Sequence, residues 1–327
     1  MGVAILYDAI RAAIGPTAAA YALLAVGLNM HFGHTGLLNF GQVGFMLVGA
    51  YGVAVSVATF GLPLWFGVLA GILGAVILAL LLGIPTLRLR ADYLAITTIA
   101  AAEILRFITR NSGSEPVTGG VFGLSQFAES FYALNPYPSG SYLGGLGISH
   151  GRMWQMTVGW LLVALFTLLI WALMRSPWGR IIRSIREDED AARSLGKNVY
   201  FYKMQSLVLG GVIGAVGGAM YAISLQTVQP DTFMPQVTFY AFAILILGGT
   251  ATVVGPIIGS VTFWFIIQGL QSTLRRSADA GALPDFFGSQ AVGAVTLTFV
   301  GLLLMALMLF RPQGMFGDKR EMQLDVK

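Results

Sequence analysis

The chain has 327 residues, 56% hydrophobic and only 10% charged, with a formal net charge of +4; a soluble domain carries about 25% charged residues. The absence of cysteine excludes disulfides, thiolate metal sites and a cysteine nucleophile. The three histidines, His31, His34 and His150, are too scattered to suggest a metal centre, and the basic residues sit between apolar runs rather than in a nucleic-acid-binding patch.

Several runs approach the roughly 20 apolar residues that cross a bilayer. They are continuous rather than alternating, so the expected fold is an all-α polytopic membrane protein and not a β-barrel. The first predicted span covers 12–32 and has no basic region or cleavage site before it, so it reads as retained. The second, 36–59, begins within a glycine cluster, Gly33 to Gly44, and Asn29, His31, His34, Asn39 and Gln42 form a polar stripe through it at membrane depth. These polar residues serve either as hydrogen bonds between helices or as contacts along a translocation path. Spans at 62–83 and 92–110 follow, separated by a loop with Arg88 and Arg90. Glu103 lies about 16 Å into the 92–110 span at 1.5 Å per residue, where an ionisable group needs a partner. Arg106, one turn on, supplies one, so Glu103 reads either as half of a structural pair or as a solute contact.

The segment 111–152 is rich in Gly, Ser, Pro and Tyr and too polar to span. It reads as an external segment, either a solvated connector or a cap that meets a soluble partner. After a span at 154–174 comes a charged block, 175–203, and then a span at 204–226 with closely spaced glycines from Gly210 to Gly218. Such a small-residue face lets helix backbones approach. Spans at 237–252, 254–273 and 289–310 complete a count of about eight to nine. Gly248, Gly249 and Gly255 mark a break between two of them. Broken helices at membrane depth are tolerated where they are buried in protein or line a path, so these glycines join Asn39, Gln42 and Glu103 as candidate path residues. The first segment and the 237–273 pair are the two places where a re-entrant or broken span is expected. Placing Arg88 and Arg90, the charged block and the tail after Phe310 (Arg311, Lys319, Arg320, Lys327) on one side collects 13 of the 19 Lys and Arg, which makes that side cytoplasmic.

The charged block has helix punctuation. Ser176-Pro177 starts one helix, and Glu187, Asp188, Glu189 and Asp190 open a second that runs through Ala191 and Ala192 to a stop at Gly196. Ile181, Ile182, Ile185 and Leu195 are available to seat the pair. A plain solvated loop has no need of such caps, so Arg186 to Asp190 with Ala191, Ala192 and Gly196 are read as a docking element.

Asp190-Ala191-Ala192-x-x-x-Gly196 is similar to the Glu-Ala-Ala-x-x-x-Gly signature that ABC importer permeases present to their ATP-binding subunit. It departs in having Asp for Glu and in lacking the following Leu-Pro. Together with GLNMHFGHTGLLNFGQVGFMLVGAYG (27–52), LRLRADYLAITTIAAAEILR (87–106), TGGVFGL (118–124) and ILILGGTATVVGPIIGS (245–260), it resembles permeases of the LivM type from branched-chain amino-acid ABC importers. The resemblance covers nearly the whole chain. It implies one transmembrane permease domain in the bacterial inner membrane, ATP-binding subunits, a second related permease and a periplasmic or lipid-anchored solute-binding protein. The motifs fix the solute less firmly, because urea and short-amide importers share them. The chain has no phosphate loop and no hydrolytic constellation, so it is expected to be neither the ATPase nor an enzyme on its own, and to need no cofactor. An ion-gradient-driven transporter is the rival class, but Glu103 alone offers little for a proton or ion relay.

Overall fold

The computed structural model describes residues 2–87, 91–280, 289–310 and 314–315. Of the basic residues used to assign sidedness, Arg88, Arg90, Arg311, Lys319, Arg320 and Lys327 lie outside that set.

The elements in chain order are α1 (Gly2–Ala13), α2 (Pro16–Leu28) continued by a π-helical segment (Asn29–Thr35), α3 (Gln42–Ala54) continued by another (Val55–Thr59), α4 (Leu64–Thr86) and α5 (Ala91–Arg110). Short pieces follow: α6 (Glu115–Thr118), β1 (Leu124–Ser125), α7 (Glu129–Ala133), β2 (Ser141–Tyr142) and β3 (Ile148–Ser149). Then come α8 (His150–Arg175), α9 (Pro177–Glu187), α10 (Glu189–Ser194), α11 (Val199–Leu225), β4 (Thr227–Val228), α12 (Gln236–Gly248), α13 (Gly255–Asp279) and α14 (Ser289–Phe310).

Among the described residues, Gln42–Thr59, α4, α8, α11 and α13 are each long and apolar enough to cross a bilayer. The pair Gly2–Ala13 and Pro16–Thr35, bent by 44°, makes a sixth such unit. The first segment is broken, as expected, and the bounds of its span are corrected. The span starts at Pro16, after a separate amphipathic helix, because the Gly15-Pro16 step ends α1 and begins α2 with proline in its first turn. The predicted 237–252 span is also shorter than expected: α12 stops at Gly248 after 13 residues.

Helix α11 sits at the centre, packed against α2, α3 and α4. Its glycines make this possible. A Cβ on Gly27 would lie 2.4 Å from the Gly210 carbonyl oxygen, and a Cβ on Gly210 equally close to that of Gly27. Gly218 meets the Met46 backbone, and Gly49 of α3 meets that of Ala215, as tightly. Backbones this close gain dispersion contacts that bulkier side chains would prevent, which is how helices hold together where lipid offers no hydrophobic drive. The outward faces of α4, α5 and α8 are apolar, with Leu73, Ile77, Ile96, Phe107, Leu161, Leu165 and Leu168 exposed.

The segment 111–149 is an ordered cap at one end of the bundle. Strand β1 pairs antiparallel with β4, Leu124 opposite Val228. Phe127 and Phe131 are buried in the main core. The Trp154 indole N–H donates to the Phe131 carbonyl at 2.9 Å, and the Tyr132 hydroxyl to that of Ile223 at 3.2 Å. The helical pair 177–194 lies at the opposite end, so the bundle has a capped end and a hairpin end.

Candidate functional site

The hairpin end carries the charged block. Ser176 takes the N-cap position of α9, but its hydroxyl donates backward to the Leu173 carbonyl at 2.7 Å and leaves the first turn uncapped. Asp188 does cap α10: its carboxylate accepts the Ala191 N–H at 2.9 Å. Gly196 ends the element at φ 74°, the left-handed conformation that a C-terminal stop requires. Ile182 is buried with Met174 and Ile213, and Ile185, Ala192 and Val199 form a separate small buried cluster under the pair, against which Ile181 packs. Leu195, expected to join it, is instead 78% exposed, because it follows the last helical residue and turns away from the seat that Ala192 fills. Glu189 pairs with Arg193 at 2.9 Å and with Lys203 of α11. Asp190 pairs with Arg193 at 3.1 Å while most of its side chain stays in solvent. Glu187 and Ala191 are exposed as well. The hairpin is thus braced from inside and presents charge and one leucine outward.

Helix α9 rests on the π-helical segment that ends α2. A Cβ at Gly36 would lie 3.6 Å from Cγ of Arg186, so this arginine's aliphatic stem covers the glycine. Beyond Gly36 the backbone is not helical until Gln42, yet several of its N–H groups find partners. The Phe40 N–H donates to Thr98 Oγ1 of α5 at 3.1 Å, the Gly41 N–H to Asn39 Oδ1 at 2.9 Å, and the Val43 N–H to Thr238 Oγ1 of α12 at 3.0 Å. Asn39 Nδ2 donates to Gln42 Oε1 at 2.9 Å and reaches His31 Nδ1 at 3.0 Å. Gln42 Nε2 donates to the Gly210 carbonyl at 3.2 Å. One tautomer satisfies the whole chain: His31 accepts at Nδ1 and donates from Nε2 to the Leu207 carbonyl at 3.0 Å. Asn39 and Gln42, candidates for the path, are fully buried within this subunit, and their amides join helices to one another.

The second glycine cluster forms the break between α12 and α13. A Cβ on Gly248 would sit 1.9 Å from the Gly255 carbonyl oxygen, and Gly249 has φ 112°, which side chains rarely adopt. Thr252 organises the turn from inside: its hydroxyl donates to the Gly249 carbonyl at 2.8 Å and accepts the Gly255 N–H at 3.1 Å. Asn29 reaches across from the end of α2, accepting the Ala251 N–H at 3.0 Å and donating to the Thr252 carbonyl at 2.8 Å. The two glycine clusters, far apart in sequence, therefore meet at the hairpin end.

Glu103 lies elsewhere, on α5 about 10 Å from its capped-end terminus at the usual helical rise. Arg106 Nε donates to it at 3.0 Å. Arg106 also donates to Asp231 at 2.9 Å, and Arg110 does so at 3.0 Å. The expected intrahelical pair is present, but it is part of a four-residue cluster that ties α5 to the turn Pro230–Phe233. Asp231 was missed by the sequence reading. Its one signal is that no other carboxylate occurs between Asp190 and Asp279.

Residues 12–310 match the family model described as branched-chain amino acid transport system, permease component. The chain belongs to that family. This permease is 31% identical over 319 residues to the high-affinity branched-chain amino acid transport system permease protein LivM of Salmonella typhimurium, covering 94% of this chain and 70% of that one. It is 25% identical over 337 residues to the probable LivM of Methanocaldococcus jannaschii, covering 91% of each. A nucleoside ABC transporter permease protein, NupC of Lactococcus lactis, is 29% identical over 202 residues, covering 58% of this chain and 60% of that one.

Proposed function

We propose that this chain is one permease subunit of an ATP-binding-cassette importer that carries branched-chain amino acids across the bacterial inner membrane. A second related permease and ATP-binding subunits complete the membrane assembly. The hairpin end faces the cytoplasm and the capped end receives solute from a periplasmic or lipid-anchored binding protein. The observation that carries the reading is the braced hairpin at 177–194, in a chain of this family, with Glu187, Asp190 and Leu195 exposed on it. ATP-driven closure of the partner subunits moves the hairpin, and the bundle alternates between outward and inward access. The break at Gly248, Gly249 and Gly255 belongs to the moving part. Solute selection resides mainly in the binding protein, so the path is permissive. The match to a nucleoside permease agrees with that view, since related chains serve solutes of different chemistry.

Reversing Glu187 and Asp190 to Lys together tests the docking role. Both are exposed, and neither lies in a spanning segment. The variant is expected to reach the membrane in normal amount and to lose the ATP-binding subunits on purification. ATP-dependent uptake at the original rate would remove the docking role. Calorimetry on the cognate binding protein separates leucine-type solutes from urea, short amides and nucleosides.

A further inference from the structure

In an asparagine amide the carbonyl acceptor and one of the two N–H donors can face a backbone as a peptide group does. Asn29 uses both on consecutive residues of the α12–α13 break, the Ala251 N–H and the Thr252 carbonyl, as a neighbouring strand would. These are groups that a broken helix leaves without helical partners. The Asn29 side of the contact is buried, at 2% exposure, and the break side is half-buried. It is also tightly backed, since a Cβ on Gly33 would fall 2.0 Å from Asn29 Oδ1 and 2.7 Å from the Ala251 nitrogen. Ala251 itself has φ 60°, a conformation that a residue bearing a Cβ adopts when its surroundings hold it there.

The other side of the same π-helical segment meets the hairpin. Helix α9 packs on it, and Arg186 covers Gly36. Thr35 Oγ1 and Ser206 Oγ lie 2.5 Å apart and join the segment to α11. A segment of seven residues thus touches the hairpin at one end and holds the break at the other.

We propose that Asn29 is a positioning residue of the transport cycle: it fastens the α12–α13 break to the π-helical end of α2, so that movement of the hairpin is passed to the break. The proposal rests on the docking role of the hairpin. Coupling of this kind needs a contiguous physical link to an element with two arrangements; Asn29 supplies the link, and a break that takes two arrangements completes it.

The test uses the whole transporter in proteoliposomes. The chain has no cysteine, so Val254→Cys, at an exposed position just before α13, places its only thiol beside the break. The rate of maleimide labelling of this subunit is compared between the nucleotide-free and vanadate-trapped states. With Asn29 present, the two rates are expected to differ by about fivefold or more; with Asn29→Ala, by less than about twofold, while ATP-binding subunits still co-purify and nucleotide is still trapped. Asn29→Asp, which keeps the acceptor for Ala251 and loses the donor to Thr252, is expected to show the same loss and serves if the alanine variant does not assemble. Equal rates with Asn29 in place, an undiminished difference in both variants, or failure of both variants to assemble would each overturn the proposal. If the Glu187→Lys, Asp190→Lys hairpin keeps its ATP-binding subunits while Asn29→Ala still abolishes the labelling change, the docking role falls and the Asn29 link stands.

Discussion

Arg106 is the buried charge around which the capped end of α5 is built, with its side chain 9% exposed between Glu103 and Asp231. Removing one partner of a buried charge costs more than the pair contributes, because the remaining charge must be desolvated alone. Two carboxylates share this arginine, so losing either leaves one in place. Glu103→Gln is expected to lower stability by about 1–3 kcal/mol, seen as a lower melting temperature in detergent, with uptake per folded transporter unchanged. Asp231→Asn is expected to cost more, because both Arg106 and Arg110 lose a counter-charge. The double variant should depart from additivity by about 0.5–3 kcal/mol, as residues in one network do. Unchanged melting with lost uptake for Glu103→Gln would instead put that carboxylate on the path.

At the scale of elements, two glycines that end helices make opposite predictions. Gly196 has a left-handed backbone and open space where a Cβ would go, so Gly196→Ala is expected to cost only about 1–2 kcal/mol of backbone strain. Gly248 is helical, and a Cβ there collides with the Gly255 carbonyl. Gly248→Ala must therefore push the two halves of the break apart. It is expected to reduce uptake far more than it reduces membrane content, measured by transport and immunoblot on the same vesicles; normal uptake would show the break to be peripheral. The places where helices lie were legible in the apolar runs, and the break was legible in Gly248, Gly249 and Gly255, because run length and glycine are local signals. That the first segment is broken was legible too, but the bounds of α1 were not, because Gly15-Pro16 falls inside an apolar stretch. The ties that fix the site were not legible. Asn29 meets residue 251 across 222 positions, and Arg106 meets Asp231 across 125, and one sequence carries no signal linking such positions.

Over the molecule, among the described residues, small side chains line the closest helix contacts and a band of large apolar ones faces outward. Ala and Gly pack α11 against α2 and α3, while Leu161, Leu165 and Leu168 of α8 line the surface. That distribution suits a bundle in lipid, where close packing holds helices together and bulky side chains meet the acyl chains. A spin label on Leu165→Cys is therefore expected to collide more with oxygen than with a water-soluble nickel chelate, and the reverse would place α8 against water. The π-helical segment at Asn29–Thr35 has a consequence for chain length. A π turn is an α turn holding one residue more than the α register uses. Deleting a single residue between Asn29 and Thr35 would let the segment relax to α. The deletion would remove the residue that the wider turn accommodates, so the helix before it and the chain after it would keep nearly the same orientation while the residues within the turn change places. At this point the number of residues, rather than the identity of any one of them, sets which residue stands where.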